Sequence, residues 1–116
     1  MKFIKTLLLC LVALCAQGAP IFTTLVSFTG TNNGANPKAG LVQAADGNFY
    51  GTTRYGGASD DGTVFKMTPG GALSNLHSFT YTADGAWPVA ALAKGTNGSL
   101  YGVTTYGGAN DWGTVF

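Results

Sequence analysis

From Leu25 onward, short runs of β-branched and aromatic residues alternate with clusters of Gly, Pro, Asn and Asp. This is the pattern of short strands joined by tight turns. Four strand candidates make one unit: Leu25–Thr29, Gly40–Ala44, Phe49–Thr53 and Thr63–Met67. Their counterparts are Leu76–Thr80, Ala91–Lys94, Leu100–Thr104 and a last run that stops at Phe116. No window after the N-terminal segment has helical periodicity. Asp46-Gly47 and Asn97-Gly98 stand between the second and third candidates of each unit. Both dipeptides favour the positive φ angles of a two-residue type I′ turn, which predicts two equivalent hairpins. Thr68-Pro69-Gly70-Gly71 predicts a type II turn into the next unit, with Pro fixing φ and Gly accepting a positive one.

The units are copies of one another. Tyr50-Gly51-Thr52-Thr53-Arg54-Tyr55-Gly56-Gly57-Ala58 returns as Tyr101-Gly102-Val103-Thr104-Thr105-Tyr106-Gly107-Gly108-Ala109, and Gly62-Thr63-Val64-Phe65 as Gly113-Thr114-Val115-Phe116. The offset is about 51 residues and holds without a gap from Leu25/Leu76, with roughly 23 identities over about 41 positions. The expected fold class is therefore all-β: four-stranded antiparallel, blade-like repeats, part of a β-propeller with fewer than two full blades present. A β-sandwich is the rival architecture, but it gives no reason for near-identical copies with the same turns at a fixed offset. The expected division is a signal peptide over 1–18, a first repeat over 19–71 and a truncated second repeat over 72–116. Fewer than two units would leave apolar faces and strand edges uncovered, so the chain is expected to be a fragment of a longer array or to associate with others.

The N-terminal segment has a basic start at Lys2 and Lys5, an apolar run from Thr6 to Ala16 and small residues at Ala16 and Gly18. These are the parts of a secretory signal peptide, and the run is shorter than a spanning helix requires. Cleavage is expected between Gly18 and Ala19. Lipidation at Cys15 is the lesser alternative, because Leu14 stands where a small residue is wanted. Both cysteines, Cys10 and Cys15, fall in this segment, so the mature chain would carry no disulfide and no thiol ligand. The expected location is secreted or cell-surface.

Charge adds an exclusion. Beyond residue 18, Lys38, Arg54, Lys66 and Lys94 face Asp46, Asp60, Asp61, Asp84 and Asp111, and there is no Glu. So balanced a chain has no electrostatic footprint for nucleic acid or anionic lipid. No second apolar span follows, so no membrane span is expected in the mature chain.

The repeated Tyr-Gly-x-Thr-x-Tyr-Gly-Gly-Ala-x-Asp-x-Gly-Thr-Val-Phe core, its Lys66-Met67-Thr68-Pro69-Gly70-Gly71 continuation and the Ser-Phe-Thr-x-x-x-x-Gly-Ala-x-Pro segment resemble the Gloeo/Verruco ("GloVer") tandem-repeat family. The resemblance covers nearly all of the mature chain. It implies an exported bacterial repeat protein with a β-propeller fold. It implies no catalytic residue, cofactor or defined ligand. Against that family pattern, under two repeats and no C-terminal anchor are expected here.

The candidate chemistry is modest. Asp60, Asp61 and Asp111 sit in a Gly-rich loop and could offer oxygens to Ca²⁺, but Trp112 replaces Asp61 in the second copy and one repeated carboxylate falls short of what Ca²⁺ takes. Asp60 and Asp111 read better as turn-supporting side chains. Paired-carboxylate glycoside chemistry needs two carboxyls at a set separation, which no pairing here supplies. His77, the sole histidine, stands where the first copy has Val26 and reads as a strand-face substitution rather than part of a triad. The repeated Tyr55/Tyr106 and Pro37/Pro88 read as packing between blades. Trp87 and Trp112 stand opposite Asn36 and Asp61, and such non-repeated loop residues are where binding specificity is expected. The candidate binding residues are thus Trp87, Asp60, Asp61, Asp111 and Trp112, with no catalytic residue, metal or cofactor. The expected role is a structural or interaction module with an unknown protein or carbohydrate partner. The alternative is a fragment of a carbohydrate-binding or carbohydrate-active propeller enzyme.

Overall fold

A computed structural model describes residues 18–116. The expected signal segment lies outside the described residues except for Gly18, and so do Cys10 and Cys15. The described chain is all-β, without a helix. Its strands are β1 (Val42–Gln43), β2 (Phe49–Thr53), β3 (Thr63–Met67), β4 (Leu73–Ser78), β5 (Ala93–Lys94) and β6 (Leu100–Tyr101). The first four form an antiparallel sheet in the order β1-β2-β3-β4, and β5 and β6 form a two-stranded one.

β2 and β3 pair residue for residue from Phe49↔Met67 to Thr53↔Thr63. Thr63, Phe65 and Met67 of β3 are buried while Val64 and Lys66 between them are half-buried, the period-two alternation of a strand. Gly51 pairs with Phe65. A Cβ there would stand 2.7 Å from Phe65 Cζ and 2.8 Å from Leu41 Cδ2. The glycine of the Tyr-Gly motif is thus required by the phenyl ring lying across it. The second copy repeats the arrangement: a Cβ on Gly102 would meet the Phe116 ring and Leu92 Cδ2.

The main sheet straddles the copies. Its first three strands come from the first copy and β4 from the second. β4 pairs along β3, with Leu76 left without a partner between Val64↔His77 and Phe65↔Asn75 as a β-bulge. β4 begins three residues before the expected strand Leu76–Thr80 and leaves Phe79 and Thr80 outside it, and the expected match of that strand, Leu25–Thr29, is not a strand. The difference is one of pairing: β4 bonds along β3, whereas no described strand pairs with the earlier segment. Val26 and Phe28 are half-buried between exposed neighbours, and the Phe28 ring meets Phe65 edge-on at 5.2 Å. In the second copy, Thr114–Phe116 makes only a single bridge, Val103↔Val115, where the first copy has the five-residue β3.

The turns fall where expected but are of another type. Gly47 and Gly98 have φ of 81° and 83°, while Asp46 and Asn97 stay out of the left-handed region. The Gly47 amide bonds the Ala44 carbonyl, and the Ala44 amide bonds the Asn48 carbonyl. Gly95–Ser99 and Thr68–Ala72 repeat both bonds. Each is a three-residue loop closed by a left-handed glycine, in place of the expected type I′ and type II turns. Asp46 is held at negative φ because its carboxylate accepts the Asn48 amide at 3.0 Å, and Asn97 binds the Ser99 amide likewise. In the Thr68 turn the positive φ belongs to Gly71, not Gly70.

Candidate functional site

The two long loops of each unit are tied together. Ala35 and Tyr55 exchange backbone bonds of 2.8 and 3.0 Å, and Ala86 and Tyr106 do so at 2.8 and 3.3 Å. Asp60 and Asp111, both at φ 62°, bond the Gly56 and Gly107 amides at 2.7 and 3.1 Å. Asp tolerates the left-handed region because its short carboxylate bonds locally. The repeated carboxylates therefore organise loops, as their turn context predicts. Among the described residues, no three of His, Cys, Asp and Glu gather where they could hold a metal ion.

The loops bring a group of aromatic side chains together where the copies meet. The Trp87 ring lies edge-on to Tyr106 at 5.4 Å, to Tyr55 at 6.0 Å and to Tyr81 at 6.4 Å. The Arg54 guanidinium stands 4.9 Å from the centre of the Tyr55 ring and 5.7 Å from that of Trp87. Its Nε is buried without a hydrogen-bond partner, so stacking holds the group. The Trp87 amide donates to the Asp61 carbonyl at 2.9 Å, and the Thr105 hydroxyl donates to the Trp87 carbonyl at 2.7 Å. Trp87 and Asp61 are thus brought together, and Tyr55 packs across to Trp87 of the next unit. Trp112 makes none of these ring contacts and is 89% exposed.

Two members of the group are held in the left-handed region, Tyr81 at φ 62° and Trp87 at φ 56°. The first copy places Gly30 and Asn36 there, at 93° and 54°. Gly and Asn accept this conformation, whereas a bulky side chain in it costs on the order of 1–3 kcal/mol. The second copy therefore carries two strained aromatics at one surface group.

Electrostatics add detail around it. The Asp111 carboxylate beside Tyr81 pushes that phenol above its ordinary value, helped by desolvation. Burial, then the nearby Asp60 and Asp84 charges, push the Asp61 carboxyl up. Burial also works against ionised Asp84, but bonds from the Thr80 amide, His77 and the Thr80 hydroxyl prevail and hold it below the ordinary range. His77 Nε2 lies 2.5 Å from Asp84 Oδ2, so this histidine has a partner across the loop besides its place on the strand.

Sequence reasoning missed Arg54 and Tyr81. The signal was present, since both stand where the copies differ, opposite Thr105 and Gly30.

The Gloeobacter/Verrucomicrobia repeat family matches over residues 12–116, and the chain belongs to that family. No curated protein and no solved structure matches it.

Proposed function

We propose that this member of the Gloeobacter/Verrucomicrobia repeat family is an exported, β-propeller-type module with an interaction role at or outside the cell surface. The partner engages it at the loop face around Trp87. The carrying observation is that Trp87 holds a strained left-handed backbone, φ 56°, amid aromatic rings from both copies. Strain of this kind collects at ligand-contacting positions. The blade-like reading draws support from the four-stranded antiparallel sheet and from the recurrence of its loops and turns at a fixed offset. Export is the reading of the N-terminal segment. Among the described residues no helix is long and apolar enough to cross a membrane.

A carbohydrate partner is the second reading, favoured by the Tyr55, Trp87 and Tyr106 rings beside the Arg54 guanidinium and by the exposed Trp112. Flat aromatic faces stack on sugar rings, and the guanidinium donates to hydroxyl or carboxylate oxygens.

The test compares the secreted wild-type chain with Trp87→Asn on a glycan array and on envelopes of the producing cells. Binding by the wild type and a loss of tenfold or more in the variant support the reading. Equal binding by both, or binding by neither, overturns it. N-terminal sequencing of the secreted protein checks export, and a first residue of Ala19 is expected.

A further inference from the structure

The sequence holds two Asn-Gly dipeptides, Asn33-Gly34 and Asn97-Gly98. Asn before Gly is open to attack by the glycine amide nitrogen on the side-chain carbonyl carbon, because no β-carbon shields that nitrogen and the glycine backbone turns freely. The fold treats the two dipeptides differently. Asn33 is half-buried, and its Oδ1 accepts the Thr29 amide at 2.9 Å and the Thr29 hydroxyl at 2.7 Å. Gly34 is buried, and a Cβ on it would collide with the Thr53 and Thr63 side chains. So tightly packed a backbone cannot swing its amide onto a side chain that is fixed on a residue four positions back.

Asn97, Gly98 and Ser99 are all exposed. A Cβ on Gly98 would meet nothing within 4 Å, so open space surrounds the residue. Asn97 Oδ1 reaches forward to accept the Ser99 amide at 3.0 Å. That bond closes a ring of atoms containing both Asn97 Cγ and the Gly98 nitrogen, which keeps the two reacting atoms together. The Gly98 amide also bonds the Gly95 carbonyl, but at 3.2 Å, the long end of the normal range.

We propose that Asn97-Gly98 is a self-modification site at which the chain deamidates, while Asn33-Gly34 is protected. The Gly98 nitrogen gives its proton to solvent and forms a bond to Asn97 Cγ. The Cγ–Nδ2 bond breaks, and the amine takes a proton from solvent and leaves as ammonia. Water opens the resulting succinimide at either carbonyl, which leaves aspartate or isoaspartate at position 97 and adds one negative charge. The first copy shows that the turn accepts the aspartate product. Asp46 takes the Asn48 amide at 3.0 Å as Asn97 takes that of Ser99, and it accepts the Tyr50 hydroxyl at 2.7 Å where Asn97 donates to the Tyr101 hydroxyl at 3.0 Å. The isoaspartate product instead routes the main chain through the side chain and adds a methylene to the loop between Gly95 and Ser99. β5 and β6 pair only at Ala93↔Tyr101 and Lys94↔Leu100, so little holds this hairpin against a lengthened turn. The reaction needs no partner and is independent of the Trp87 site.

The experiment incubates the secreted chain at mildly alkaline pH, where more of the amide is deprotonated, and follows its peptides by mass spectrometry with fragmentation that separates aspartate from isoaspartate. Circular dichroism confirms that the chain stays folded. Position 97 is expected to gain one mass unit at least about tenfold faster than position 33, because a packed turn reacts only through local opening. In concentrated urea the two rates are expected to converge, which assigns the difference to the fold. Asp46→Asn sets Asn-Gly in the equivalent turn of the first copy and is expected to add a second site that reacts at a comparable rate. Asn97→Asp is expected to keep the wild-type circular dichroism. An unmodified position 97, equal rates at 33 and 97 in the folded chain, a difference that persists in urea, an inert Asp46→Asn turn or an Asn97→Asp chain that loses β-structure would each overturn the proposal.

Discussion

Phe79 meets Phe116 edge-to-face, with centroids 5.1 Å apart and planes at 63°. Phe28 and Phe65, one repeat earlier, meet at 5.2 Å and 62°. The pair is the packing unit of the repeat, joining a residue at the start of each unit to one at its end. Edge-to-face geometry places the positive ring edge on the negative ring face, worth about 0.5–1.5 kcal/mol beyond area burial. Phe79 is also tied to the first copy, since its amide donates to the Gly62 carbonyl at 3.0 Å. One residue thereby serves its own unit through its ring and the preceding unit through its backbone.

The glycine beneath each second phenylalanine is predicted to resist substitution. Gly51→Ala puts a methyl 2.7 Å from Phe65 Cζ, and Gly102→Ala drives one into the Phe116 ring. Each ring must tilt away, losing its contact with Phe28 or Phe79. Each variant should be destabilised by about 1–3 kcal/mol, the usual cost of overpacking. Urea midpoints measure this, and an unchanged midpoint for Gly51→Ala would show that the ring has room to move.

At the hairpin turns the constraint is the backbone alone. A Cβ on Gly47 or Gly98 would meet nothing within 4 Å, yet both residues sit at positive φ. Gly47→Val and Gly98→Val should each cost on the order of 1 kcal/mol or more, while Gly47→Asn should cost clearly less, because Asn accepts the left-handed region. Thermal melts of the three variants give the ordering. Equal costs for Val and Asn would mean that backbone strain is not the cause.

The two turns should differ in acid. Bonds from the Asn48 side chain, the Tyr50 hydroxyl and the Asn48 amide lower Asp46 to about 2. Asn97, which does not titrate, replaces it in the second copy and donates to the Tyr101 hydroxyl at 3.0 Å. A carboxyl with a depressed folded pKa contributes stability above its unfolded value, here 3.8, and that contribution fades as pH falls toward about 2. Between those limits the wild type should lose stability that Asp46→Asn does not lose. Melting temperatures from pH 5 to pH 2 decide it, and parallel curves for the two chains would refute the assignment.

What the sequence made legible follows from the range of each interaction. The bounds of β2 and β3 were readable because their alternation and Gly punctuation are local. That Leu76–Ser78 joins a strand and its counterpart Leu25–Ser27 does not depends on which segment has a neighbour to pair with, a non-local fact that nearly identical residues conceal. Turn positions were legible in Asp46-Gly47 and Asn97-Gly98, but turn type hinged on a carboxylate or amide bonding two residues on. At the site, Trp87 was marked by its difference from Asn36. Arg54 and Tyr81 carried the same mark, but their place beside Trp87 arises only when the loops of both copies fold together.

Trp87 itself separates strain from packing. Trp87→Asn releases a left-handed bulky residue, about 1–3 kcal/mol, and gives up three edge-on ring contacts at roughly 0.5–1.5 kcal/mol each. The two effects are of similar size, so its stability should stay within about 2 kcal/mol of the wild type. Trp87→Ala loses the same contacts and keeps a β-carbon in the left-handed region without the local bonding that Asn provides, so it should be less stable than Trp87→Asn by about 1 kcal/mol. Binding should fall tenfold or more in both, because both lack the ring. Urea titration and binding to the same glycan array or envelope therefore give two readouts that part company. A Trp87→Asn chain that binds as the wild type does would reduce Trp87 to a packing residue, and one less stable than Trp87→Ala would remove the strain on which the site assignment rests.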